Sequence, residues 1–284
     1  MSRVLVVDDD SATRHVLRTV LDGAGYTTSV AKDGVEALKA LRAERFDLLL
    51  LDVWMPRMNG LELLAKLRAR KTRPRVVVMT SDDAPETLLQ AVREQAFKYV
   101  HKPVATASLL DTVREVLEAA ELPRIEVISA RPEWVELVVP CTREAADHIQ
   151  PVMARLEADL APAVRDSIVY AFRELLLNAV EWGGRLDPSR RVRIACMRSK
   201  RAIIYRIADP GSGFNIDDLP HAAISYGPEA PIAHMDVRES RGLRPGGFGL
   251  LSVRASVDEL LYNEKRNEVV FVKYLDEEPA QAAS

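Results

Sequence analysis

"FDLLLLDVWMPRMNG", Phe46 to Gly60, carries the longest apolar run of the chain and closes it on an aspartate. The run "FDLLLLDV" is the length of a strand and falls well short of the ~18 consecutive apolar residues that span a membrane. Its neighbours are of the same kind. From Arg3 to about Glu121, "VLVV", "TTSVA", "DLLLLD", "RVVVMT" and "KYV" alternate with amphipathic helical patterns, which is the signature of a parallel α/β sheet built from five βα units. Helix faces meant for the core read at i, i+3 and i+4: Val16, Leu17, Val20 and Leu21; Val35, Leu38 and Leu41; Leu61, Leu64 and Leu67; Leu109, Val113, Val116 and Leu117.

The polar residues stand where the apolar runs stop. Asp8 and Asp9 follow "VLVV", Asp52 follows "LLLL", Thr80 follows "VVVM" and Lys102 follows "YVH". In an open α/β sheet the crevice beyond the carboxyl ends of the strands is where ligands bind, so residues dispersed in sequence can converge there. Three carboxylates in one crevice repel one another, and a hard divalent cation such as Mg²⁺ relieves this through oxygen ligands.

In order and spacing, "VVDDD", "LLDVWMPRMNG", "VVMTSDD" and "YVHKP" resemble the two-component receiver domain. The resemblance covers residues 1–121 and implies a flavodoxin-like (βα)5 fold. It also implies that Asp52 is the phospho-acceptor and that Asp8 and Asp9, with Asp52, hold Mg²⁺. Thr80 would sense the phosphoryl group, Lys102 would be its ionic partner, Tyr99 the switch aromatic, and the bond before Pro103 cis. The implied phosphodonor is a sensor histidine kinase. "EQAFKY" departs from the family, which usually has a glycine before the last strand, and a local loop change is expected. The basic run "RARKTRPR", Arg68 to Arg75, reads as a solvated loop.

At 284 residues, 48% apolar and 29% charged, the chain is long enough for two domains. A formal charge of −3 supplies no global attraction for nucleic acid, and direct DNA binding is not expected. The two cysteines, Cys141 and Cys196, lack metal-ligand spacing and suggest no disulfide framework, which fits a reducing cytoplasm. No leader-like or membrane-spanning segment is read, so no membrane insertion is expected.

Helical periodicity stops near "ELPRIEVISARPEW", between the breakers Pro123 and Pro132, and residues 122–132 read as a linker. Residues 133–276 read as an α+β domain, and residues 277–284 as a tail. The strands of that domain are "WVELVVP", "RVRIACMR", "AIIYRIAD" and "EVVFVKYL", with helices from Thr142 to Leu160 and from Pro162 to Trp182. Polar clusters punctuate it: "ELLLNAVEWGG", with Glu174 and Asn178 at i, i+4; "DPGSGF", with Asp209, Gly211 and Gly213; and "RPGGFGLL", Arg244 to Leu251. The last matches neither a P-loop, which needs a Lys-Ser or Lys-Thr pair, nor a dinucleotide fingerprint.

Together, the three clusters resemble the N-box and the two glycine boxes of the GHKL ATP-binding superfamily, an α+β sandwich, and within it the bacterial anti-sigma-factor serine kinases. The resemblance implies ATP and Mg²⁺ as cofactors. Asn178 would offer a neutral oxygen to Mg²⁺, Asp209 would accept the adenine amino proton, and Gly211 and Gly213 would let backbone approach the base. Gly247 and Gly249 would face the phosphates at a helix start, with Arg238, Arg241 and Arg244 as further triphosphate contacts. The long segment between the glycine boxes would be the nucleotide lid. Glu174 is the discriminating residue, since a serine hydroxyl or water benefits from a carboxylate base that an imidazole acceptor does not need. His148 reads as a surface histidine. Trp182, where the subgroup usually has histidine, reads as a core aromatic.

The expected function is a response regulator, phosphorylated on Asp52, that controls an anti-sigma-type serine kinase output domain in bacterial partner switching. The implied downstream partner is an anti-sigma-factor antagonist-like protein or a sigma factor, and a homodimer stays open. The rivals are a non-catalytic module that binds nucleotide to shape a protein-binding surface, and a histidine-kinase-like ATPase.

Overall fold

The computed structural model describes residues 1–68, 70, 73–82, 84–119, 124–131, 133–214 and 249–275. The chain divides into two compact units, Met1–Leu122 and Pro123–Ser284.

In the first unit β1 (Arg3–Val7), β2 (Thr27–Ala31), β3 (Leu48–Asp52), β4 (Arg75–Thr80) and β5 (Lys98–His101) form a five-stranded sheet in the order β2-β1-β3-β4-β5. All its pairings are parallel. The leucine run is the central strand, and its alternation divides the core: Leu48 and Leu50 join one cluster, Leu49 and Leu51 the other. Helices α1 (Ser11–Gly23), α2 (Gly34–Ala43), α3 (Gly60–Arg68), α4 (Pro85–Arg93) and α5 (Thr106–Glu118) connect the strands. Sheet order reverses at β1, so the crevice beyond the carboxyl ends of β1 and β3 is the topological switch point. Asp10 and Asp33 cap α1 and α2 by accepting from backbone N–H groups of the first turn.

Two residues assigned to the core face water. Val16 is 55% and Val35 44% exposed. Only a narrow stripe of each helix meets the sheet, Leu17 and Leu21 on α1 and Ala37 and Leu41 on α2, and the flanking valines fall at its rim. The basic run is also not simply a solvated loop. Arg70 donates to the carbonyl of Leu41 at the end of α2, and Arg73 to those of Glu94 and Gln95 after α4. Arg75 donates to Val116, Leu117 and Ala119 at the end of α5. Each guanidinium satisfies helix-terminal carbonyls that have no partner within their helix. The loop change expected at "EQAFKY" centres on Gln95, whose φ of 60° lies in the left-handed region that glycine adopts freely. Arg73 holds that residue by its carbonyl and its side-chain oxygen.

The second unit carries a six-stranded antiparallel sheet in the order β10-β11-β9-β8-β7-β6. Its strands are β6 (Glu126–Arg131), β7 (Trp134–Pro140), β8 (Arg191–Arg198), β9 (Ala202–Ala208), β10 (Glu259–Tyr262) and β11 (Glu268–Tyr274). Its helices are α6 (Arg143–Leu156), α7 (Pro162–Asn178) and α8, the last label given to Gly249–Ser256. One sheet face buries Leu137, Ile194, Tyr205 and Phe271, and the helices bury Ile149, Met153, Phe172, Leu176 and Val253. Tyr205 stacks on Phe271 and meets Phe172 at a tilt of 47°, with ring centroids 5.0 and 5.2 Å apart. Strand β6 occupies most of the stretch read as a linker. It is an edge strand with an irregularity between Val127 and Ser129 and little apolar alternation.

Candidate functional site

The carboxyl ends of β1, β3, β4 and β5 bring the first unit's polar residues together. Carboxylate oxygens of Asp8, Asp9 and Asp52 lie within 4.8 Å of one another, with Asp8 and Asp52 buried and Asp9 exposed. Nζ of Lys102 lies 2.6 Å from Oδ2 of Asp8 and 3.0 Å from Oδ1 of Asp52. Burial pushes the Asp52 carboxyl above its ordinary range, against the pull of Lys102. Burial alone would lower Lys102, but its bonds to Asp8 and Asp52 outweigh that and raise it. The crevice thus holds more acid than one lysine neutralises, and its donor set of carboxylate oxygens fits a hard divalent cation.

Around this centre Arg14 donates to the carbonyls of Asp8 and Asp9 at 2.7 and 2.8 Å. Gly60 is required by packing, since a Cβ there would lie 2.1 Å from the Asp52 carbonyl oxygen. Thr80 is fully buried, and its hydroxyl accepts the Asp82 N–H at 3.1 Å. The half-buried Tyr99 donates its hydroxyl to the Asp82 carbonyl, so the aromatic is turned inward. The Lys102–Pro103 bond is cis.

In the second unit Glu174 and Asn178 are half-buried on the last turns of α7, among buried Leu175, Leu176 and Val180. The helix does not stop at Asn178 but widens into a π-helical turn, Ala179–Gly183, closed by the Gly184 N–H on the Ala179 carbonyl at 2.7 Å. Such turns recur at functional sites. The wider turn leaves Trp182 51% exposed, which corrects its reading as a core aromatic; Gly184 packs inward instead, against Cys141.

Two close approaches join the polar clusters and a third lies within one. A Cβ on Gly183 would lie 2.2 Å from Cγ of Asp209, and one on Gly211 would lie 2.7 Å from Oδ1 of Asp209. A Cβ on Gly249, the first residue of α8, would lie 2.6 Å from Oε2 of Glu174. Gly213 has a φ of 84°, and a Cβ there would meet the Lys265 carbonyl. The Asp209 carboxylate accepts the Gly211 N–H at 2.7 Å and is raised by burial, with Gly211 and Arg190 opposing. Gly183 was not singled out in the sequence, although its place in "EWGG" was the available signal. Gly247, Arg238, Arg241, Arg244 and the segment read as a lid lie outside the described residues. His148 is half-buried within α6.

Acids and a lysine gathered at the switch point of a five-stranded parallel sheet define a receiver, and the helix-end asparagine with glycine-lined turns defines a GHKL-type ATP-binding fold. The chain belongs to the response regulators. The response regulator receiver domain matches residues 4–114, and the histidine kinase-like ATPase domain matches residues 139–273. The output domain is therefore of an ATP-binding type. The chain is 35% identical over 184 residues to the DNA-binding response regulator MtrA of Mycolicibacterium paratuberculosis, covering 64% of this chain and 80% of that protein. It is 41% identical over 120 residues to the response regulator MprA of Mycobacterium ulcerans, covering 42% of this chain and 52% of that protein. A solved CheY-like receiver from Methanospirillum hungatei aligns at 30% identity and a TM-score of 0.41, covering 42% of this chain and 94% of that one. Among the described residues no helix is long and apolar enough to cross a membrane.

Proposed function

We propose that phosphorylation of Asp52 controls an output domain that acts as an ATP-dependent protein serine kinase of the anti-sigma type. In the receiver an Asp52 oxygen attacks the phosphorus carried by the imidazole of a sensor histidine kinase, and the P–N bond breaks as the O–P bond forms. Lys102 neutralises charge on the phosphoryl oxygens, and the buried Thr80 hydroxyl turns from the Asp82 N–H towards them. Asp8, Asp9 and Asp52 would hold Mg²⁺, which supplies the positive charge that a weak carboxylate nucleophile needs.

In the output domain Asp209 would accept from the adenine amino group, Gly211 and Gly213 would line the base, and Gly249 would face the phosphates. Asn178 would hold Mg²⁺ through its side-chain oxygen. Glu174 would take the proton of a serine hydroxyl on the partner, an anti-sigma-factor antagonist-like protein, as the serine oxygen bonds the γ-phosphorus and the bond to the departing ADP breaks. The observation that supports the serine kinase reading is the Glu174 carboxylate lying against Gly249 at the start of α8, the helix start that would face the γ-phosphate.

The test is incubation of the full chain with Mg²⁺, radiolabelled ATP and a serine-bearing antagonist. Acid-stable, alkali-labile label on the partner is expected. Acid-labile, base-stable label on the chain itself would favour the histidine-kinase-like reading, and ATP binding without transfer would favour the non-catalytic one.

A further inference from the structure

The turn that carries Asp209 is held on two sides by residues outside the glycine boxes. Arg190, directly before β8, donates from Nη1 to the Gly183 carbonyl at 3.0 Å and from Nη2 to the Pro210 carbonyl at 2.9 Å. One planar guanidinium thereby ties the end of the π-helical turn to the turn after β9, a geometry that the single ammonium of a lysine cannot reproduce. Gly183 is the backbone wall against the Asp209 carboxylate, so this clamp sets the spacing between wall and acid.

On the other side Asn267 accepts the Asp209 N–H on its own carbonyl at 2.9 Å. Its Nδ2 donates to the carbonyls of Asp209 and Gly211 at 3.4 and 3.1 Å. Asn263 fixes that amide: its Nδ2 donates to Oδ1 of Asn267 at 2.8 Å, and its Oδ1 accepts the N–H groups of Asn267 and Glu268. With its oxygen occupied, Asn267 presents only its NH₂ to the turn. Oδ1 of Asp209 is engaged by the Gly211 N–H, and no described residue donates to Oδ2. The backbone of the turn is therefore pinned while one carboxylate oxygen is left for an incoming donor.

We propose that Arg190 and Asn267, with Asn263 behind it, are positioning residues that aim Oδ2 of Asp209 at the exocyclic amino group of a 6-aminopurine and so set the selectivity for adenine. This rests on the reading of Asp209 as the base acceptor. A site built around a hydrogen bond rejects an analogue lacking the donor because its own acceptor is left unpaired, and that rejection weakens once the acceptor can swing away.

The test is calorimetric titration of the full chain with Mg·ATP and with Mg·ITP, whose 6-oxo group replaces the amino donor. The wild type is expected to prefer ATP. Arg190→Lys and Asn267→Asp should each lower ATP affinity about 10-fold, the worth of one or two hydrogen bonds, while leaving ITP affinity within about 2-fold. Asn263→Ser acts at one remove, should shift the ratio by about 3-fold, and keeps the test open where a stronger variant does not fold. Variants that lower both nucleotides equally, or keep the wild-type ratio, would overturn the proposal and leave these residues as ordinary supports of the fold. Asp209→Asn separates the two levels. If it collapses the ratio while the clamp variants do not, only the clamp fails; if neither it nor the wild type distinguishes ATP from ITP, the base-acceptor reading fails as well.

Discussion

The receiver crevice is made of side chains, whereas the candidate ATP pocket is made largely of backbone brought close by missing ones. In the first unit Asp8, Asp52 and Lys102 meet from three strand ends and each supplies a charge, while Thr80 supplies a buried hydroxyl at the end of a fourth. In the second unit Gly183, Gly211, Gly213 and Gly249 are needed because any Cβ would collide with Asp209, the Lys265 carbonyl or Glu174. A site of converging charges should depend on each one, since removing the proposed nucleophile would leave nothing to phosphorylate. A site that spreads recognition over backbone, one acid and one helix-end amide should lose function in steps. Substitutions in the two units should therefore differ in kind.

The largest expected effect is on the charge-built side. Asp52→Asn removes the proposed nucleophile while conserving volume, so labelling with acetyl phosphate should fall to background with the thermal midpoint of the receiver retained. Label persisting at wild-type level would place the acceptor elsewhere.

Glu174→Gln comes next, with turnover expected to fall by about 10²–10⁴ and Mg·ATP affinity to stay within a few-fold, measured by steady-state kinetics and calorimetry. If affinity and turnover drop together, Glu174 supports nucleotide binding and is not the base. Asn178→Ala should act in the opposite sense. Even the loss of a partner behind a metal ligand costs about 10–100-fold in metal affinity, so loss of the ligand should weaken Mg·ATP at least as much. Unchanged affinity would remove Asn178 from the site.

The smallest effect concerns a buried acid that neither pocket uses. Glu157 is 1% exposed, its Oε1 accepts the Tyr205 hydroxyl at 3.0 Å, and burial raises its pKa despite Arg198 nearby. A raised folded pKa means that the folded state holds this proton more tightly. The stabilisation is complete below the unfolded pKa and is lost as pH rises through the folded value. Glu157→Gln should match the wild type near pH 4 and exceed it at pH 8 by on the order of 1 kcal/mol in urea unfolding. Equal stability at both pH values would show that Tyr205 and Arg198 fully offset the desolvation.

The same contrast explains what could be read in the sequence. In a parallel sheet the residue that ends each apolar run is also the one that reaches the crevice, so Asp8, Asp52, Thr80 and Lys102 could be picked out from run ends alone. Their supports could not. Arg70, Arg73 and Arg75 act on carbonyls distant in sequence, which every residue type offers equally. In the antiparallel unit no such end rule holds, and the visible traces of the pocket were the glycine clusters, Asp209 beside them, and the i, i+4 pair Glu174 and Asn178. Strand β10 was missed because four residues carry too little periodicity, and β6 because an irregular edge strand need not alternate. The π-helical turn after Asn178 has no composition of its own, and the roles of Arg190 and Asn267 arise only from where folding places the Gly183 and Pro210 carbonyls and the Asp209 turn.

The proposed function turns on whether the state of Asp52 biases the second unit. The most direct measurement is ATP affinity, turnover and antagonist binding of the full chain with and without beryllofluoride, in the wild type and in Thr80→Ala. A change of roughly 5–150-fold in at least one quantity is expected in the wild type, equivalent to a coupling of about 1–3 kcal/mol, with the response lost in Thr80→Ala. If all three quantities in the wild type are unmoved by the phosphoryl mimic, the receiver does not gate this domain and serves docking or dimerisation instead.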